Sequence, residues 1–343
     1  MKKQKQVELD YTTLGFSYTM TPYNVRCHYK DGKWSKIQIT DDKNVSIHIA
    51  STALHYGQQC FEGLKAQRGV DGKVRVFRVE DNARRMMDSA DYLEMAQPPV
   101  ELFCEAVKEA VRYNIEFVPP YNSGGSLYIR PVLFGVGPIV GIRPSNEYLL
   151  IVFVTPVGPY FRNDSFGIDV MVDRHHDRSG SHGTGHIKAG GNYASSLKSG
   201  VETYAKGYNS AIYLDPKEHR YIDECGAANF FGIKNNTYVT PISSSILPSI
   251  TNITLMQLAE DMGMKVERRQ IDVVEEVDSF DEVGACGTAA VIAPIMSIYD
   301  PEYDLKHIFK GAGPVIKELV RRYKAIQLGE SEDIHGWNTI IEE

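Results

Sequence analysis

The order of strand-like and helix-like segments constrains the fold of this chain more than any other feature. Two amphipathic stretches, 81–93 and 102–111, have the spacing of helices, and the strand-like segments 126–134 and 147–155 follow them. After residue 165, short strand-like segments are separated by glycine-rich turns. Because strands and helices do not alternate one for one, a doubly wound parallel sheet is disfavoured. We predict a mixed α/β fold.

Local signals predict individual boundaries. Asp81 is the predicted N-cap of the first helix, because a carboxylate can accept the free amides of a first turn. Alternation predicts strands at 37–50 and 74–78. Later in the chain, the same reasoning predicts helices at about 251–262 and 314–327 and a strand pair near 266–273 and 283–295.

The run Pro156-Val157-Gly158-Pro159 separates the two regions and has the composition of a linker. A chain of 343 residues is also about twice the usual length of one domain. We therefore predict a smaller α/β domain over 1–155, a linker over 156–164 and a larger β-rich domain over 165–343.

Charge and apolar content indicate the kind of partner. The formal net charge is -7, from 37 basic and 44 acidic residues, so no basic field would gather nucleic acid or an anionic membrane. No apolar run of signal-peptide length follows the N-terminus, and the longest apolar stretch, 149–154, is too short to span a bilayer. We expect a cytoplasmic protein with a small-molecule partner.

The five cysteines are scattered, and no two form a C-x-x-C pair. Neither a disulfide framework nor a zinc site is therefore suggested, and reduced thiols are expected. His182 and His186 are four residues apart, which would place two metal ligands on one face of a helix. Gly183 and Gly185 lie between them, so we expect no metal.

Lys188 lies in the most informative stretch, Gly183 to Tyr193, which reads GTGHIKAGGNY. Small residues on both sides allow the backbone to approach closely and water to be excluded. Desolvation lowers the pKa of a lysine, and only the neutral amine attacks an aldehyde. The spacing fits neither a Walker loop nor a dinucleotide fingerprint. A flexible loop with an exposed lysine remains the alternative.

Two further segments could complete a pyridoxal phosphate site, which needs an anion cradle and a carboxylate beside the pyridine nitrogen. Residues 247–252 open a predicted helix, whose free amides bind anions; an ordinary capped helix is the alternative. Glu224 begins an otherwise uncharged run, and a buried acid there would need a cationic partner such as a protonated pyridine nitrogen. A turn acid beside a strand would give the same pattern.

Five motifs occur in an order that resembles the branched-chain amino acid aminotransferases: HYGQQCFEGL at 55–64, YIRP at 128–131, the lysine loop, residues 224–231, and CGTAA at 286–290. The resemblance covers nearly the whole chain. It implies a two-domain, fold type IV pyridoxal-phosphate enzyme, similar to D-amino acid aminotransferase, that forms a homodimer or a higher homo-oligomer.

The resemblance also implies roles for the cofactor-binding residues. Lys188 would hold the cofactor as a Schiff base and carry protons, and Glu224 would bind the pyridine nitrogen. Tyr193 would bond the phenolic oxygen. The phosphate would be held by Arg85, Ile250, Thr251 and Thr288, with Ser249 standing where the family often has glycine.

For the substrates, the resemblance implies apolar walls and one cation. Arg130 would meet the side-chain carboxylate of glutamate, and Tyr56 would reach across the dimer interface. The walls would be formed by Phe61, Tyr160 and Tyr193, and the α-carboxylate would be held by Tyr128, Thr288 and Ala289. The run after CGTAA lacks the family's redox C-x-x-C, so thiol control is not expected.

The implied reaction is reversible, ping-pong transfer of the amino group from L-leucine, L-isoleucine or L-valine to 2-oxoglutarate. A D-amino acid transaminase or an aminodeoxychorismate lyase of the same fold would keep Lys188 and Glu224 and change the pocket. A phosphate- or nucleotide-binding module, in which the glycine loop forms no covalent bond, is the alternative from another class.

Overall fold

The computed structural model describes residues 9–11, 14–158 and 167–342, which form two compact units. Within that range, the first unit comprises 9–11, 14–158, 187–190 and 325–342, and the second comprises 167–186 and 191–324. In the same part of the chain, no helix is both long and apolar enough to cross a membrane.

The first unit is built on an antiparallel sheet covered by helices. Its helices are α1 (Thr52–Tyr56), α2 (Val79–Tyr92) and α3 (Val100–Arg112). Its first eight strands are β1 (Asn24–Lys30), β2 (Lys33–Trp34), β3 (Gln38–Thr40), β4 (Gln59–Phe61), β5 (Leu64–Arg68), β6 (Val74–Phe77), β7 (Ser126–Gly135) and β8 (Tyr148–Val157).

Alternate residues of strand β7 lie on the two opposite faces of the sheet in the first unit. Leu127, Ile129 and Leu133 are fully buried, in one hydrophobic cluster with residues of α3. Alternate residues of a strand point to opposite faces, so Tyr128 and Arg130 lie on the other side of the sheet. The alternation therefore places the polar residues of the YIRP motif away from the core.

Two predictions about the first unit were wrong in detail. Helix α2 begins at Val79, with Arg78 as the N-cap in the left-handed conformation, and Asp81 accepts a hydrogen bond from Arg78 Nε at 2.6 Å. The strand expected at 37–50 is limited to Gln38–Thr40. Beyond it, Ile49 is 83% exposed, so the alternating apolar residues there have no core to face.

The second unit contains α4 (Gly190–Ser195, whose first residue belongs to the first unit), α5 (Leu197–Ala205), α6 (Ile250–Asp261) and α7 (Pro314–Gln327, whose last turn belongs to the first unit). Its strands are β9 (Ile168–Asp173), β10 (Ser210–Leu214), β11 (Ile222–Cys225), β12 (Ala228–Lys234), β13 (Thr237–Thr240), β14 (Lys265–Arg268), β15 (Glu282–Gly287), β16 (Val291–Asp300) and β17 (Leu305–Ile308).

These strands form a barrel with an extension. The sheet order is β11-β10-β9-β16-β15-β12-β13-β14, and β11 also pairs with β12, so six strands close on themselves. The predicted strand at 283–295 is two strands, because residues 288–290 form a turn. The predicted pairing of that segment with 266–273 was also wrong, since β14 pairs with β13.

Two late segments pack with the first unit, which the single predicted boundary did not anticipate. Residues 325–342 end in β18 (Asn338–Ile341), which pairs with β6, and Ile341 is buried in the first unit's core. Residues 187–190 join the first unit through backbone hydrogen bonds. The linker expected at 156–164 stays a prediction, because residues 159–166 lie outside the described part of the chain.

Candidate active site

Lys188 is held in the first unit by its backbone. Its amide donates to Ser89 Oγ in α2 at 3.0 Å, and its carbonyl accepts from the Phe61 amide at 3.2 Å. The next residue, Ala189, forms an isolated β-bridge with Cys60. The main chain of Lys188 is thus tied to both a helix and a strand, while its side chain is half-buried.

The ring of Phe61 contacts two cations. Lys188 Nζ lies 5.0 Å from the ring centroid, and the Arg130 guanidinium carbon lies 4.6 Å from it. A cation above an aromatic face is stabilised by the ring's quadrupole. Three residues predicted to serve the cofactor and the substrates therefore lie together in the first unit.

Tyr128 and Arg130 lie on the face of β7 that points away from the core, and they contact each other. Arg130 Nη2 donates to the Tyr128 hydroxyl at 3.0 Å, and the guanidinium carbon lies 5.3 Å from the Tyr128 ring. A Cβ at Gly63 would lie 2.2 Å from the Tyr128 hydroxyl oxygen, so only glycine leaves room for it. The glycine of the first motif therefore sets the position of a predicted substrate residue.

A cleft of about 630 Å³ opens on this face of β7 and β8. Tyr128 and Arg130 line it, together with Phe16, Phe134 and Phe153. The Phe16 and Tyr128 rings meet edge to face, with centroids 5.1 Å apart. An aromatic cleft with a cation in its wall can receive an apolar group and a carboxylate.

Arg85 is paired with an acid that the sequence analysis did not single out. Its Nε and Nη2 atoms donate to the two carboxylate oxygens of Glu62, each at 2.7 Å, and Glu62 is fully buried. Such a two-point contact fixes the plane of a guanidinium. The partners are 23 residues apart in sequence, and no local pattern connects them.

One predicted substrate residue lies elsewhere in the first unit, and another is outside the described part of the chain. Tyr56, at the end of α1, is 46% exposed, and its hydroxyl donates to the Val140 carbonyl. Exposure on the surface of this chain is compatible with contact to another subunit. Tyr160, predicted as part of the pocket wall, lies outside the described residues.

Glu224 lies in β11 of the second unit and is 2% exposed. Its Oε1 atom accepts the Leu247 amide at 2.5 Å and Arg178 Nη2 at 3.0 Å. The expected buried acid is therefore present, and it has a cationic protein partner. Arg178 was not predicted, because nothing in its polar loop distinguishes it from a surface arginine.

The predicted phosphate cradle is the start of α6. Ser249 is the N-cap, and its Oγ accepts the Asn252 amide at 3.3 Å. Ile250 and Thr251 are the first two helical residues, whose amides have no acceptor within a helix. This 12-residue helix therefore presents its positive end and two amides to an anion.

The other predicted residues of the second unit lie in short connections. Thr288 and Ala289 belong to the half-buried turn between β15 and β16, and Tyr193 lies half-buried in α4. The five cysteines are free and buried, and burial raises the pKa of the Cys225 thiol to about 12. Among the described residues, no group of three or more His, Cys, Asp or Glu side chains could hold a metal ion.

The fold and these residues can be compared with known families. Residues 59–298, more than half of the chain, match the family model of amino-transferase class IV. That range contains Lys188, Glu224 and the start of α6. The chain is therefore a member of the class IV aminotransferases.

Relatives within this class carry a more specific name. The branched-chain-amino-acid aminotransferase of Haemophilus influenzae is 44% identical over 98% of this chain and 99% of its own length. The Helicobacter pylori enzyme of the same name is 43% identical over 96% and 97%. The chain belongs to the branched-chain-amino-acid aminotransferase family, as the sequence motifs indicated.

Solved structures of that name have the same fold. The Escherichia coli enzyme superimposes with a TM-score of 0.79, at 29% identity, over 94% of this chain and 100% of the other. The Thermobaculum terrenum enzyme, described in its PLP form, has a TM-score of 0.75, at 27% identity, over 94% and 99%. The predicted fold class is confirmed.

Proposed function

We propose that this protein catalyses reversible transfer of the amino group from L-leucine, L-isoleucine or L-valine to 2-oxoglutarate, with pyridoxal 5'-phosphate as cofactor. The products are the branched-chain 2-oxo acid and L-glutamate. The observation that carries the proposal is Lys188, fixed by its backbone beside Phe61 and Arg130 in a chain of this family.

The donor sets of this chain fit the cofactor. When bound, pyridoxal phosphate supplies an aldehyde for the amino group and a ring that delocalises negative charge from the substrate Cα. Lys188 supplies the amine, and Glu224 supplies a buried carboxylate for the ring nitrogen. The amides of Ile250 and Thr251 fit a phosphate, and Ser249, Thr288 and Arg85 would add further donors.

Lys188 would also move the proton. Because its amide and carbonyl are both hydrogen-bonded, motion is confined to the side chain, and Nζ can swing without displacing the loop. Nζ would take the proton from the substrate Cα and deliver it to the C4′ carbon of the cofactor, and in the second half-reaction it would move a proton in the opposite direction, onto the Cα of the incoming 2-oxo acid. Tyr193 would bond the cofactor's phenolic oxygen.

One pocket must accept a branched aliphatic side chain and also the carboxylate of glutamate. Arg130 can serve both substrates, because Phe61 and Tyr128 lie against its guanidinium. These rings partly compensate its charge when an aliphatic side chain is bound. Phe61, Tyr160 and Tyr193 would supply the apolar wall, and Tyr128 with the amides of Thr288 and Ala289 would hold the α-carboxylate.

We propose a homodimer in which Tyr56 reaches the partner's site. The apolar side chains near Tyr56 are exposed: Val140 by 75% and Ile142 by 91%. Contiguous exposed apolar residues commonly mark an interface. The five free, buried cysteines agree with a reducing compartment, and we propose the cytoplasm.

The test is amino transfer from separate donors to 2-oxoglutarate by the purified protein. We expect activity with L-leucine, L-isoleucine and L-valine and little with D-alanine. The release of pyruvate from aminodeoxychorismate is measured in parallel. Activity with D-alanine alone, or with aminodeoxychorismate alone, would contradict the proposal and leave the class IV assignment intact.

A further inference from the structure

Arg178 joins three segments of the second unit. It is only 8% exposed, and its Nη2 atom lies 3.0 Å from Glu224 Oε1, 2.8 Å from the Ser245 carbonyl and 2.6 Å from the Gly185 carbonyl. Glu224 belongs to β11, Ser245 to the segment that leads into α6, and Gly185 to the glycine-rich loop. One guanidinium thus connects the three segments that carry proposed cofactor residues.

The surroundings leave little freedom for this arrangement. The Leu247 amide donates to the Glu224 oxygen that also accepts from Arg178. Gly185 packs closely against the backbone of Ser245. A Cβ added at Gly185 would lie 2.1 Å from the Ser245 carbonyl oxygen. One oxygen of the Glu224 carboxylate is therefore held by two donors, a backbone amide and the guanidinium of Arg178.

The charges of the cluster favour the Arg178–Glu224 pair. Asp223, the neighbouring acid, is 4% exposed and accepts a hydrogen bond from Ser245 Oγ. Burial raises the pKa of Asp223, although hydrogen bonds from Ser245 and Ser243 act in the opposite direction. The charge of Arg178 also lowers the pKa of Asp223, but the guanidinium pairs directly with Glu224, at 3.0 Å.

We propose that Arg178 is a positioning residue that keeps the Glu224 carboxylate ionised and oriented toward the ring nitrogen of the cofactor. This inference rests on the proposed function, since it assigns a support to one of its cofactor residues. Arg178 acts through Glu224 and through the segments that it joins. It has no direct role in the proton transfer proposed for Lys188.

The test compares Arg178→Met with Arg174→Met. Arg174 is a matched control, because its side chain is also 8% exposed, lies in the second unit and pairs with another acid, Asp300. Removing a neighbouring cation raises the pKa of a carboxylate. In Arg178→Met we therefore expect the pH titration of the bound cofactor's visible band to shift by roughly one unit or more.

Kinetics and cofactor binding add two readouts. We expect Arg178→Met to lower kcat and pyridoxal phosphate affinity by about tenfold or more each, with a change below about threefold in KM for L-leucine. Arg178→Lys should recover part of both losses, because it keeps the charge. Arg174→Met should leave the band titration unchanged. A wild-type titration and kcat in Arg178→Met would overturn the inference.

The cofactor-free protein separates this inference from the proposed function. There, Arg178→Met should lower the unfolding midpoint more than Arg178→Met combined with Glu224→Gln, because the double variant leaves no unpaired buried carboxylate. Equal losses in the two variants would contradict the pairing whether or not the cofactor binds. Wild-type protein that fails to bind pyridoxal phosphate would instead contradict the proposed function.

Discussion

The environment of Arg130 suits the two kinds of substrate that we propose for this protein. Its guanidinium lies against Phe61 and bonds the Tyr128 hydroxyl, so it presents a shielded charge to the cleft. In the proposed function, an aliphatic side chain would gain contact with the rings, and a carboxylate would gain a charge-assisted hydrogen bond. The two half-reactions should therefore depend on this residue to different extents.

We expect Arg130→Met to weaken the half-reaction with L-glutamate far more than that with L-leucine. A hydrogen bond to a charged group contributes about 1.5 to 3 kcal/mol, or roughly 10- to 100-fold in kcat/KM. Single-turnover measurements with each amino acid give the two values separately. Arg130→Lys, which keeps the charge, should fall between the wild type and Arg130→Met. Equal losses with both amino acids would contradict the assigned role.

The start of α6 combines a side-chain cap with two backbone amides that have no acceptor within the helix. Ser249 caps the helix through the Asn252 amide, which supplies the contact that a glycine at this position would lack. The cap satisfies the third amide and leaves the first two for an anion. The substitution of serine for the family's usual glycine is therefore compatible with a phosphate cradle.

Replacing the cap should affect stability in a graded way. Ser249→Ala should lower the free energy of unfolding by about 0.5–2 kcal/mol, whereas Ser249→Gly should cost only a few tenths, because glycine tolerates the N-cap position. Urea unfolding of the cofactor-free protein, followed by circular dichroism, measures both. A larger loss for glycine than for alanine would contradict the N-cap assignment, because both variants lack the hydroxyl and only an N-cap position favours glycine over alanine.

Sequence reasoning succeeded best where periodicity and stop signals agreed. A helix was predicted over 102–111, a segment that lies between Pro99 and the prolines at 119–120, and α3 spans Val100–Arg112. It failed at 41–50, where Val45 and Ile49 alternate like a strand but are exposed. Alternation marks a possible face, and only the tertiary structure decides whether a core covers it.

Some of the site residues could be predicted from the local sequence, and others could not. Lys188 and Glu224 could be proposed from their local surroundings, because glycine-rich and uncharged neighbours are unusual around ionisable groups. Glu62 and Arg178 could not, since each is defined by a partner distant in sequence, 23 residues away for Glu62 and 46 for Arg178. Long-range ion pairs of this kind leave no periodic pattern.

At the scale of the whole molecule, the chain returns to its first unit twice. Residues 187–190 and 325–342 pack there, so Lys188 belongs to the first unit, whereas Glu224 and α6 belong to the second. The exposed apolar residues near Tyr56 support the proposed contact with a second subunit.

A charge at this surface should weaken the proposed dimer. Ile142 is 91% exposed, so Ile142→Glu costs the isolated chain little and places an unpaired charge in the proposed interface. Sedimentation velocity should show a shift from dimer toward monomer. Ile334→Glu is the matched control, since Ile334 is an isoleucine of the same unit and 71% exposed. An unchanged dimer in Ile142→Glu would place the interface elsewhere.

The most direct test of the central claim is the visible absorption of the purified protein with pyridoxal phosphate, before and after borohydride, followed by peptide mapping. The account predicts a yellow band that disappears on reduction and an adduct on Lys188, absent from Lys188→Ala. A protein that gains no band, or an adduct on another lysine, would contradict it.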